Sequence, residues 1–266
     1  VWHYDNSDYL MVSSQFNGIA RTIDGGQSGG PATEGLVGEG PFITRLASSK
    51  SDNDLVYALT SLGVGRTDNF GEFWTMTYID EPQWGFWSGM DIHVSIANPQ
   101  NIIAGGSMDE ESSIFVSTDG GLTFEATNNF DNLGYVTGLS SHPTLENTFF
   151  ATFSIQNNAK VLRTDDLGQS WYDISGYSES SSSTGFPDVA VYDVLVMPYD
   201  TDIIWVATEI GIFESTDEGD SWNLLAGDFP AVSVWDMKIM DGMVVLATFG
   251  RGIWTATIPE LASYEY

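Results

Sequence analysis

Cysteine is absent from the 266-residue chain, so neither a disulfide framework nor a thiolate metal site exists. Basic residues are scarce: eight Lys and Arg stand against 37 Asp and Glu, a net charge of −29. That charge repels phosphate backbones and anionic headgroups, which excludes nucleic acid and anionic membrane as partners. It favours solubility, suits a high-salt setting and attracts calcium. No run approaches the ~20 apolar residues of a membrane-crossing helix. No basic-then-apolar leader opens the sequence, and no Asn-x-Ser/Thr acceptor occurs, which argues against a eukaryotic secretory product. His3, His93 and His142 occur singly, without the paired spacing of metal ligands.

What is present is a repeat. Ser/Thr-x-Asp-x-Gly-x-Ser/Thr-aromatic recurs five times, with Asp24, Asn69, Asp119, Asp166 and Asp217 at the acidic position. Gly26, Gly71, Gly121, Gly168 and Gly219 follow, and Trp74, Phe124, Trp171 and Trp222 close four of the copies. An Asp or Asn at the head of a tight turn accepts hydrogen bonds from nearby amides, and Gly supplies the positive φ. The aromatic starts the next strand and wedges against a neighbouring sheet. Each copy reads as a hairpin clasp.

The spacing of 45 to 51 residues is the length of one four-stranded propeller blade. Apolar runs such as Leu55–Ala58, Ile102–Gly105, Phe149–Thr152 and Ile203–Ala207 precede the clasps as short buried strands. The expected fold is therefore an all-β propeller of four-stranded blades. About six are represented, the first and last incomplete, with blades near 1–37, 38–80, 81–130, 131–176, 177–228 and 229–258 and a tail or linker at 259–266. An open sheet edge is an aggregation hazard, so the chain is expected to be a segment of a longer polypeptide.

The clasps resemble the Asp-box, or BNR, repeats of sialidase-like and sortilin-like propellers, across essentially the whole chain. The stretch Ala247 to Thr255 is similar to the last blade of propeller modules in secreted Bacteroidetes proteins exported by the type IX route. The clasp motif marks the fold rather than the function, since hydrolases, receptors, assembly factors and adhesins share it. The expectation leans to a non-catalytic module of a bacterial secreted or cell-surface protein, accompanied by other modules, for carbohydrate or protein binding or structural presentation, with calcium the one candidate cofactor. Sialidases need an arginine triad, and of Arg21, Arg45, Arg66, Arg163 and Arg251 only Arg45 lies clear of the clasps and the terminal turn. The alternative is a fragment of a propeller glycoside hydrolase, xyloglucan-cleaving before sialidase. The xyloglucan-cleaving kind uses two carboxylates, an acid and a base across a cleft between two propellers, and this chain would be at most part of one.

For that alternative the candidates are Asp91, Asp193 and Asp236, all at the starts of inner strands that line a central channel. The competing reading has them solvated or holding backbone amides at the channel entrance. Trp84, Phe86 and Trp87 lie within four residues of one another in a loop and offer a saccharide platform, or else fill a gap between blades. Tyr192 and Trp235 complete the ligand-binding candidates. Asp109, Glu110 and Glu111 form an acidic loop that is either a solvated charge run or a weak calcium site.

Overall fold

The computed structural model describes residues 1–49, 51–80, 83–85, 90–130, 134–177 and 181–264. Phe86 and Trp87 lie outside these described residues.

Short strands rich in Val, Ile, Phe and Ala, separated by Gly- and Asp-bearing turns, pair antiparallel into six sheets, and the chain is a six-bladed β-propeller. Blades 2 to 5 have four strands, and blades 1 and 6 have three. The inner strands of blades 2 to 6 are Leu46–Ser48, Asp91–Val94, Val136–Ser141, Val191–Val196 and Val234–Met240. In blade 1 the inner position holds only Trp2, bridged to Leu10. The second strands, such as Val56–Thr60 and Phe149–Phe153, are buried along their whole length because both sheet faces meet neighbouring blades. The stretch expected as a tail folds into a 3-10 helix, Pro259–Ser263, whose Leu261 is buried against blade 6.

The core is divided into five clusters, one at each junction between consecutive blades. Met11 and Ile19 of blade 1 pack on Val56 and Trp74 of blade 2, for example, and Phe150 of blade 4 on Val194 and Trp222 in the blade 5 region. Burial of this apolar surface is the main stabilising force.

The clasps stitch these junctions. In each, the Ser/Thr hydroxyl donates to the Asp or Asn side chain and accepts the amide of the Gly two positions beyond it, as in Ser215 to Asp217 (2.7 Å) and Gly219 (2.8 Å). Asp217 also accepts from the amide and hydroxyl of Ser221 at 2.9 and 2.6 Å. The same bonds hold Asp24 so firmly, Ser28 foremost, that its carboxyl sits at about 2. The turn needs two successive left-handed residues, which forces Phe70, Leu167 and Glu218 to positive φ beside their glycines.

Each clasp leans on the blade before it. The Trp74 indole donates to the Ala32 carbonyl and that of Trp222 to Ile174, both at 2.8 Å. A Cβ added at Gly121 would lie 2.7 Å from Cε1 of Tyr57 and one at Gly219 2.9 Å from Cβ of Ile174, whereas Gly26 in blade 1 has nothing within 4 Å. Arginines reach the opposite way: Arg21 donates to the carbonyls of Asn69 and Phe70, Arg66 to Gly120, and Arg163 pairs with Glu218, each in the clasp of the following blade.

Candidate active site

The inner strands of blades 4, 5 and 6 begin alike. Each has a β-bulge, between Val136 and Gly138, Val191 and Asp193, and Val234 and Asp236. The bulged residues are Thr137, Tyr192 and Trp235, and the residues after them are Gly138, Asp193 and Asp236. A bulge re-aims side chains at a sheet edge, and here the edge borders the channel. Asp91 opens the inner strand of blade 3 at the corresponding place. The fold thus brings the three sequence-predicted carboxylates to one rim.

Their surroundings differ. Asp91 accepts the Leu139 amide of blade 4 at 2.8 Å, and Asp193 accepts the Met237 amide of blade 6 at the same distance. The second Asp193 oxygen accepts its neighbour Val194's amide, also at 2.8 Å. These two carboxylates therefore latch one inner strand to the next, as the amide-binding reading anticipates. Asp236 has no such amide; its side chain is 52% exposed, with the Lys238 ammonium 3.6 Å away.

Burial raises the Asp91 carboxyl above the ordinary range, although the Arg45 guanidinium 3.8 Å away pulls it back. Asp193 is pushed up to about 8, first by burial and then by the charge of Asp236, with two amide donors opposing. Desolvation wins over the hydrogen bonds and holds the Asp193 carboxyl toward its protonated form. Nearby His93 bonds Ser141 Oγ at 3.0 Å and is depressed to about 4 by burial and Lys238, which leaves it neutral. The rim thus holds a buried carboxyl pushed toward its protonated form and a half-exposed acidic side chain on adjacent blades, a pairing suited to general acid and base work.

Three aromatic rings stand beside this pair. Tyr192 and Trp235 have centroids 5.7 Å apart, and Trp235 stacks on Phe249 at 5.2 Å and 13°. Phe249 sits in the turn between the second and third strands of blade 6, a residue that the sequence reading passed over because an isolated Phe in a Gly-Arg-Gly turn carries no periodic signal.

Other expectations are corrected. Trp84 is no platform: it is fully buried, donates to the Thr60 carbonyl at 2.7 Å and packs edge-on against Phe115, filling the junction of blades 2 and 3. Asp109 spends one oxygen on the amides of Glu111 and Ser112, both at 2.9 Å, which organises its own loop. Among the described residues no group of three or more His, Cys, Asp or Glu side chains is placed to hold a metal ion.

No family model matches the chain. Two curated relatives are an oligoxyloglucan-reducing end-specific xyloglucanase of Emericella nidulans, 26% identical over 227 residues, and xyloglucanase Xgh74A of Acetivibrio thermocellus, 28% identical over 208. These alignments cover 77% and 67% of this chain, which spans only 26% and 24% of the two relatives. Among solved structures, the GH74 xyloglucanase from Xanthomonas campestris shares the fold with a TM-score of 0.62 at 19% identity, over 94% of this chain and 38% of that one.

These similarities overturn the sialidase-like, sortilin-like and type IX cargo resemblance, since the relatives are xyloglucanases. The clasp misleads because its hydrogen bonds serve any propeller and carry no chemistry. The reading as a non-catalytic module, with its leaning against an enzyme, falls to the same relatives, which are enzymes. The extracellular domain of a putative one component system from B. thetaiotaomicron shares the fold with a TM-score of 0.60 at 14% identity, over 97% of this chain and 34% of that one. One propeller that shares the fold, YCF48, is solved with a D1 peptide bound, with a TM-score of 0.62 at 15% identity.

Proposed function

We propose that the chain is the propeller of a glycoside hydrolase acting on a β-glucan of the xyloglucan type. Its xyloglucanase relatives support the substrate class, and the opposite environments of Asp193 and Asp236 on one channel rim carry the reading.

Asp193 is the general acid: its proton passes to the glycosidic oxygen as the bond to the anomeric carbon breaks. Asp236 is the base: it takes a proton from the water whose oxygen attacks that carbon, so the two carboxyls exchange protonation states over one turnover. The Met237 and Val194 amides hold Asp193 in place, and Lys238 steadies Asp236. Asp91, latched to Leu139 and paired with Arg45, is structural.

The test is release of reducing ends from xyloglucan. Wild type is expected to release them, and Asp236→Asn to lose about a thousandfold, within the range that acid–base groups contribute. Equal rates in wild type and Asp236→Asn would refute the assignment, and no release by wild type would refute the reading.

A further inference from the structure

Tyr192, Trp235 and Phe249 form a continuous three-ring stack at the channel mouth, and its members are not equivalent. Trp235 meets Tyr192 at a tilt of 37° and stacks on Phe249 at 13°, and its indole N–H is spent on Ser233 Oγ at 2.8 Å. The indole is thereby oriented, and it remains half exposed. Phe249 ends the stack. It is 68% exposed, the most exposed aromatic ring among the described residues, yet its backbone is pinned by its amide to the Ser233 carbonyl at 2.9 Å. An exposed phenyl held rigid from behind loses little entropy on binding, which suits a ligand surface better than a free side chain does.

We infer that the outer face of Phe249 is a sugar-stacking subsite, with Trp235 and Tyr192 as positioning residues behind it. The occupant is a β-linked gluco-oligosaccharide. A pyranose with equatorial substituents presents a flat C–H face that an aromatic ring covers, while its hydroxyls stay at the edge, where water and the rim carboxylates reach them. Asp193 and Asp236 follow Tyr192 and Trp235 directly in the chain, so a glucan lying on Phe249 is led toward the acid–base pair. This inference rests on the hydrolase reading for the identity of the sugar, though its measurement does not need turnover.

The experiment titrates wild type, Phe249→Ala and Phe249→Trp calorimetrically with cellohexaose and with a xyloglucan oligosaccharide, and follows each variant's thermal unfolding. Phe249→Ala is expected to weaken binding about tenfold with an unchanged Tm, the size of one lost aromatic contact. Phe249→Trp is expected to retain or tighten binding. Equal affinity in wild type and Phe249→Ala overturns the inference, as does no binding by wild type. A fall in affinity that tracks a fall in Tm, with no recovery in Phe249→Trp, overturns it too, because the ring would then be packing. Binding that depends on Phe249 without release of reducing ends would leave the subsite standing and remove the hydrolase reading. Release of reducing ends that ignores Phe249→Ala would do the reverse.

Discussion

Gly26→Ala and Gly121→Ala form a matched pair, because both glycines occupy the same place in a clasp and both have φ of 84°. Each amide donates to the clasp hydroxyl, Thr22 for Gly26 at 2.9 Å and Ser117 for Gly121 at 2.8 Å. Left-handed strain is therefore common to the two, about 1–2 kcal/mol, less roughly 0.4–1 kcal/mol regained because Ala restricts the unfolded chain. What differs is the space ahead of the new methyl. At Gly26 it is open; at Gly121 it ends 2.7 Å from Cε1 of Tyr57, a fully buried ring whose hydroxyl is tied to the Gly120 carbonyl at 2.9 Å. Tyr57 cannot swing away without breaking that bond, so an overpacking cost of about 1–3 kcal/mol is added. Gly26→Ala is expected to cost about 1 kcal/mol and Gly121→Ala about 2–4 kcal/mol, a gap of several degrees in Tm for a chain of this size. Urea denaturation at fixed pH measures both. Equal costs would show that the clasp does not bear on the preceding blade, and the account of the junctions given above would fail.

Asp193 sets a pH dependence whose sign follows from its raised carboxyl. The unfolded chain releases this proton near 3.8 and the folded chain only near 8, so stability falls as pH rises through that window. Asp193→Asn is expected to flatten the slope of denaturation midpoint against pH between about 4 and 8, and an unchanged slope would contradict it. Catalysis by protonated Asp193 is expected to decline as pH passes about 8, read from initial rates on xyloglucan. Trp222→Phe leaves the buried Ile174 carbonyl without its donor and is expected to cost about 1–3 kcal/mol in urea denaturation; a cost near zero would mean the indole bond is dispensable. Asp91→Ala removes the partner of the Leu139 amide and is expected to lower stability by a similar amount while leaving hydrolysis of xyloglucan intact at low temperature, the behaviour of a latch.

The blade count and the clasps were legible because they depend on local chemistry. An Asp or Asn, a Gly two positions on and a Ser or Thr beyond favour a hairpin, and five such hairpins at a spacing of 45 to 51 residues read as a propeller. The rim carboxylates were legible as positions at the heads of apolar runs. Their division of labour was not: it turns on whether the next inner strand offers a backbone amide, and the amides of Leu139 and Met237 have no side-chain signature. Trp84 shows the same limit from the other side. A loop rich in Trp and Phe reads equally as an exposed platform or as mortar, and only the position of Thr60 and Phe115 decides. The chemistry of the xyloglucanase relatives lay beyond the clasp altogether, since selection for hairpin stability is the same in an enzyme and in a spacer.

The backward grip of the clasps gives the ring a direction. Trp74 fastens Ala32 and Trp222 fastens Ile174, in each case a blade that comes earlier in the chain. In a polypeptide made from its N-terminus, each of blades 1 to 4 is thus secured by the arrival of the one after it, and assembly proceeds like a zip, tooth by tooth. Pulse proteolysis of chains arrested at successive blades is expected to show protection lagging synthesis by one clasp; protection of each blade as soon as its own strands emerge would contradict that order.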